Sequence, residues 1–307
     1  MVFVRPDVQQ LLAMLAAVDG PQMYEVDAPT AREMYLKMGA IAERPAAADV
    51  QCADLTIPGP AGAIRARSYR PPQAADDGTT IVFFHGGGWV IGDLQSHHSL
   101  VAEIARLTGF NAIAIDYRLA PECPWPAAVD DALAAARWVA KSPAELGFAV
   151  KRITFAGDSA GGNLTAIAAR SLRREMPVAA QWLIYPGVDM AASGGSMGEF
   201  AEGYLLQKQS MEWFGQHYAA DPSSELASPI ISDDWDDLPP ALVFVCGLDP
   251  LRDQGRAYAA KLIAGGNRVI FREARGQVHG SAQLRLIIAS AQTDLEGQAA
   301  DLKALLA

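Results

Sequence analysis

Short apolar runs alternate along most of this chain with stretches in which apolar residues return every three or four positions. The runs at 52–59, 63–71, 80–86, 111–118, 152–158, 181–187, 241–247 and 268–274 read as strands. The later ones are nearly continuous apolar segments ending in Gly, Asp or Pro, the pattern of strands covered on both faces. The first two alternate more, which suits a sheet edge. Between the runs lie helical patterns at 97–109, 127–141, 161–175, 254–266 and about 293–306. In the second of these, Val129, Leu133, Ala136 and Ala140 share one face. Strand–helix alternation of this length predicts an α/β fold with a mostly parallel eight-stranded sheet flanked by helices.

Two stretches break the alternation. Residues 1–45 predict two or three amphipathic helices without a strand. Residues 190–235 hold a Gly/Ser-rich loop and a helix between two core strands. Both are expected to cover the sheet's C-terminal edge, where the ligand crevices of open α/β sheets lie. The expected organisation is an N-terminal helical cap segment at 1–50 and a catalytic domain at 51–307, with a second cap segment inserted at about 190–235.

Composition narrows the picture. Half of the 307 residues are apolar, enough for one large buried core. A formal net charge of −10 argues against a nucleic-acid partner. Cys52, Cys123 and Cys246 lie far apart without a CxxC pair, which points to free thiols in a reducing compartment. The N-terminus lacks the features of a signal peptide, and no stretch reaches the ~20 apolar residues of a membrane helix. The expectation is a soluble cytoplasmic protein with no membrane partner.

The chemistry concentrates at strand ends. GDSAGG (157–162) fits G-x-S-x-G, a tight strand-to-helix turn that lifts Ser159 above the sheet. Side chains at Gly157 or Gly161 would collide with neighbouring backbone. HGGGW (85–89) follows the strand ending in Phe84, and its glycines leave backbone N–H groups free to face an oxyanion. Gly86 and Gly87, with Ala160, are the expected donors, and His85 is expected to orient the loop. No Lys-Ser/Thr follows, so this is not a phosphate-binding P-loop.

A serine nucleophile needs a base, and the base needs an orienting carboxylate. In sheets of this kind they follow in the order Ser, acid, His. Asp249 and Asp253 follow one late strand, and His279 follows the last. Asp249 is the expected acid because it sits nearest its strand; Asp253 is expected to cap the next helix. His97 and His98 are expected to be solvated or capping, and His217 structural. Asp158 is expected to form a structural hydrogen bond and Asp189 to brace a loop. No cluster has metal-ligand spacing, and no GxGxxG cofactor loop is present, so neither a metal nor a cofactor is expected.

HGGGW, YRLAPE (117–122), GDSAGGN, DPLRD and HG in this order make the chain resemble the hormone-sensitive-lipase-like esterases, or bacterial family IV carboxylesterases, of the α/β-hydrolase fold. The match runs from about residue 50 to the C-terminus. The resemblance implies a triad of Ser159, Asp249 and His279, an oxyanion hole, no cofactor, and hydrolysis of short- to medium-chain acyl esters through an acyl-enzyme. It permits a homodimer through the last strand. Trp89 and the cap residues Tyr204, Leu205, Met211 and Phe214 are the expected substrate-binding residues. Two positions depart from the family pattern. Gln254 stands where Glu is usual, with an altered surface contact expected. Ser281 stands where Phe is common, with a changed fit around His279 expected. Two alternatives stay open: another substrate class (amide, lactone or thioester), and a small-ligand receptor on the same scaffold.

Overall fold

The computed structural model describes residues 2–75 and 77–307, and the eight apolar runs become eight strands of a single sheet. These are β1 (Gln51–Gly59), β2 (Gly62–Arg70), β3 (Thr79–Phe84), β4 (Asn111–Asp116), β5 (Arg152–Asp158), β6 (Val178–Ile184), β7 (Ala241–Leu248) and β8 (Val269–Val278). Their order across the sheet is β1-β2-β4-β3-β5-β6-β7-β8. β1 and β2 form an antiparallel hairpin, and β2 joins β4 antiparallel; the remaining pairings are parallel. This fits the reading of the first two runs as edge strands. β3 and β7 are buried at every position, as two-sided burial requires.

The period-two side-chain alternation of the strands sorts the core into faces. Val82 and Phe84 of β3 pack with α4 (Ala127–Ala140) and α5 (Ala160–Leu172). Ile81 and Phe83 point the other way, to α3 (His98–Thr108), on the side that also holds α9 (Ala289–Leu306). α8 (Arg252–Ala264) covers β6 and β7 through Tyr258 and Leu262.

The segments outside the alternation are helical where the pattern predicts it. α1 (Pro6–Ala16) buries Val8 and Leu11 against Val278, Leu284 and Ile288. Arg5 secures its start, donating through its amide to Gly276 O and pairing with Asp294. α2 (Ala28–Ala42) buries Ala28 and Ala31 against the α4/α5 face. Between β6 and β7 lie the short α6 (Ser196–Glu199) and α7 (Lys208–Tyr218), and the turn Met23–Glu25 packs on α7. No described helix is long and apolar enough to cross a membrane.

Strand register is what places the site. Phe84 lies opposite Gly157, so the HGGG loop and the serine turn leave the sheet at one level. Asp158 pairs with Ile184, which sets Tyr185 beside Ser159. Leu248 pairs with Val278, so Asp249 and His279 emerge side by side although they sit on different strands.

Candidate active site

Ser159 sits between β5 and α5 with φ 55° and ψ −115°, a region that side-chain-bearing residues rarely occupy. A Cβ at Gly161 would overlap the Phe84 carbonyl, and one at Gly157 would overlap the Gly161 backbone. The turn therefore closes only with glycine at both positions. The strain is held by backbone bonds from Ser159 N–H to Ile184 O (2.9 Å) and from Asn163 N–H to Ser159 O (3.1 Å).

His279 Nε2 lies 2.9 Å from Ser159 Oγ, and His279 Nδ1 lies 2.8 Å from Asp249 Oδ2. Asp249 is fully buried, and its other oxygen accepts the Leu251 N–H at 2.8 Å. A carboxylate can only accept, so Nδ1 carries the proton toward it and Nε2 is left to accept from the serine. Asp253 is not in this line. It neither reaches His279 nor caps α8; its carboxylate accepts from Ser196 N–H and pairs with Arg252 and Arg256.

The HGGG loop differs from expectation at one donor. Gly86 N–H is already taken by Asp158 Oδ1 at 2.9 Å, so it is not free for an oxyanion. Among the described residues, the N–H groups of Gly87, Gly88 and Ala160 have no hydrogen-bond partner. Gly87 (φ 112°) cannot carry a side chain because a Cβ would strike the Ile91 carbonyl. His85 orients the loop as expected. Its Nδ1 meets Gly86 O at 2.8 Å and its ring stacks on Tyr117 at 4.2 Å. Burial pushes its pKa down to about 4, so the ring is neutral at ordinary pH.

Several side chains lie where local pattern did not place them. His97 is neither solvated nor a side-chain cap. It is buried, 3.2 Å from Gly86 N and 2.6 Å from Gln283 Nε2, because the loop before α3 folds back under the HGGG turn. His98 rests on the Tyr69 ring, and His217 packs on Trp213 with Nδ1 on the Trp213 carbonyl. Asp158 keeps its structural role, and Asp189 braces its loop through the Ala191 N–H. Gln254 makes no surface contact. Buried, it accepts the N–H groups of Val188 (2.6 Å) and Asp189 (2.9 Å). Ser281 is buried beside Cys246, and the aromatic next to His279 is Tyr185, with ring centres 4.7 Å apart. Tyr185 escaped the sequence reading; its position at the end of β6, level with Ser159, was the available signal.

Of the expected substrate-binding residues, Trp89 is a core residue, stacked on Tyr218 at 4.3 Å under α7. Phe214 stands on the HGGG turn: its ring occupies the space a Gly88 side chain would take. Leu205 approaches Gly280, next to His279. Tyr204 packs on Phe200, and Met211 is half-exposed on α7.

A strained serine, a histidine and a buried aspartate in hydrogen-bonded sequence at the C-terminal ends of β5, β8 and β7 define an α/β hydrolase. The comparisons agree. A family model described as alpha/beta hydrolase fold matches residues 81–283. The chain is 43% identical to the carboxylic ester hydrolase LipN of Mycobacterium tuberculosis over 76% of this chain and 65% of LipN. It is 36% identical to an ethyl acetate hydrolase of Pseudomonas putida over 89% of both chains. Among solved structures, an ester hydrolase from the metagenome of Lake Arreo, complexed with a bipyridine phosphonate derivative, superposes with a TM-score of 0.94 at 35% identity. The superposition covers 98% of this chain and 99% of that one. An esterase of Pyrobaculum calidifontis gives a TM-score of 0.88 at 38% identity over 99% of each. The chain belongs to the hormone-sensitive-lipase-like, bacterial family IV carboxylesterases, and it is a carboxylic ester hydrolase.

Proposed function

We propose that Ser159, His279 and Asp249 hydrolyse short- to medium-chain acyl esters through an acyl-enzyme. The observation that carries this is the unbroken line from Asp249 Oδ2 through His279 to Ser159 Oγ, 2.8 and 2.9 Å. Ser159 Oγ attacks the ester carbonyl carbon as its proton passes to His279 Nε2. The carbonyl oxygen becomes an oxyanion, and the proposed donors are the N–H groups of Gly87, Gly88 and Ala160. Such a donor contributes roughly 2.7–4 kcal/mol to the transition state. Ala160 opens α5, so the positive end of the helix dipole faces the same charge. The tetrahedral species collapses, the alcohol leaves with the His279 proton, and Ser159 holds the acyl group. Water then attacks, giving its proton to His279, and the acid departs as Ser159 is reprotonated. Asp249 keeps the imidazole in the required tautomer and stabilises its charged form.

Residues 1–50 and 190–235 act as the cap in this reading, with Phe214 and Leu205 bounding the acyl pocket and Tyr204 and Met211 further out. The three unpaired cysteines support a reducing, cytoplasmic location. β8, at the sheet edge with a half-exposed Phe271, suits a homodimer partner. The test is covalent labelling with a p-nitrophenyl phosphonate followed by mass spectrometry. The adduct is expected on Ser159 and absent from Ser159→Ala, which should hydrolyse p-nitrophenyl acetate at background rate. A Ser159→Ala protein that retained activity would overturn the assignment.

A further inference from the structure

We propose that Tyr35, Gln283 and His97 are positioning residues of this reaction, through which the N-terminal helix α2 holds the HGGG loop and the serine turn in register. This rests on the reading of the site given above and extends it to residues that touch no substrate.

The three side chains form one line of hydrogen bonds, buried at Gln283 and His97 and half-buried at Tyr35. The Tyr35 hydroxyl donates to Gln283 Oε1. Gln283 Nε2 donates to His97 Nε2 at 2.6 Å and reaches the Ser96 carbonyl at 3.4 Å. His97 Nε2 in turn receives the Gly86 N–H at 3.2 Å, an N–H shared with Asp158 Oδ1 at 2.9 Å. His97 Nδ1 meets Ser96 Oγ at 2.9 Å, so the ring is held at both nitrogens. Burial and then the Asp158 charge raise the Tyr35 phenol well above its ordinary pKa, which keeps it a neutral donor.

One end of the line and its middle meet segments that carry the chemistry. Gly86 begins the loop of oxyanion donors, Asp158 immediately precedes Ser159, and Gln283 sits in the turn Ser281–Gln283 that follows His279. The far end is a helix outside the sheet. One turn away on the same helix, Arg32 donates to Val90 O (2.8 Å) and Ala120 O (3.0 Å) and grips Glu122 with two bonds. Val90 belongs to the loop that Gly86 opens. α2 therefore holds that loop from both sides. The loop has little room to relax independently, because a Cβ at Gly92 would already overlap the His85 ring and Gly86 O. An oxyanion donor displaced by about 1 Å costs up to roughly a hundredfold in rate, so a chain that fixes the loop acts on kcat.

Tyr35→Phe removes one hydroxyl and nothing else. Its kcat on p-nitrophenyl acetate is expected to fall roughly tenfold with KM within about twofold. Phosphonylation of Ser159 by a p-nitrophenyl phosphonate should slow by the same factor, since it uses the same donors. Tyr35→Phe/His97→Gln should be no slower than His97→Gln, because both cut one line. If His97→Gln does not fold, Gln283→Met replaces it in the pair. Three results would overturn the proposal: a wild-type kcat in Tyr35→Phe with only a lower Tm, an effect confined to KM, or losses that multiply in the double variant. Ser159→Ala in the same series separates the two ideas. If it stays active, the reading of the site fails; if it is inactive while Tyr35→Phe matches wild type, only this inference fails.

Discussion

The Gly86 N–H donates to Asp158 Oδ1 at 2.9 Å, so the residue before the serine holds the start of the glycine loop. Both groups are buried, and removing the acceptor leaves the N–H with its longer contact to His97 Nε2 at 3.2 Å, at a cost of about 1–3 kcal/mol. Asp158→Ala is therefore expected to lose stability in that range and kcat by roughly ten- to a hundredfold. Asp158→Asn, which can keep its Oδ1 in place, should fall between it and wild type. Urea midpoints and steady-state kinetics on a short-chain ester decide this.

The proposed triad is expected to work as a unit. His279→Ala and Ser159→Ala should each cost about as much as the double variant, because neither partner acts without the other. Asp249→Asn leaves the site's shape intact but allows the wrong tautomer of His279, with an expected loss of roughly 10³–10⁴ in kcat. Losses that multiplied across the three positions would contradict the hydrogen-bonded arrangement.

Glycine replacements separate close approach from mere flexibility. Gly161→Ala drives a methyl group into the Phe84 carbonyl and is expected to cost more than about 4 kcal/mol or to prevent folding. Gly215→Ala, inside α7 with open space around its Cβ, should stabilise by roughly 0.5–1 kcal/mol. Denaturant titration of the two variants gives the contrast directly.

His85 makes stability depend on pH. Its folded pKa is about 4 against an ordinary 6.5, so between those values the unfolded chain binds a proton that the folded one refuses. Stability then rises with pH across that window, and about 3 kcal/mol is lost as pH falls from 6.5 to 4. His85→Gln should remove this contribution from the stability–pH curve. The difference between the two curves, from urea unfolding at each pH, is the measurement.

Phe214 stands over Gly88 and should limit the acyl chain. Phe214→Ala is expected to raise the kcat/KM ratio of octanoate to acetate p-nitrophenyl esters by roughly tenfold, since a cleared ring admits several methylenes. An unchanged ratio would place the acyl pocket elsewhere.

The strand pattern was legible because buried parallel strands are continuous apolar runs, and all eight lie within a few residues of where the pattern set them. GDSAGG, Asp249 and His279 were legible too, since each follows a strand end and strand ends share one edge. Gly86 was misread because consecutive glycines look alike until Asp158 is seen occupying one N–H. His97 looked like a surface residue because it begins a helix; only the fold shows the loop turning inward beneath Gly86. Gln254 likewise looked exposed, and its two backbone partners come from a distant loop.

The sequence by itself determined the order of elements, the strained serine turn and the candidates Ser159, Asp249 and His279 at strand ends, because these depend on local apolar period and local backbone sterics. Only the tertiary structure decided which N–H groups remain free, which histidine is buried and how α2 reaches the loop. Those depend on strand register and on hydrogen bonds between segments far apart in the chain, and no local pattern encodes which donor an acceptor across the fold will claim.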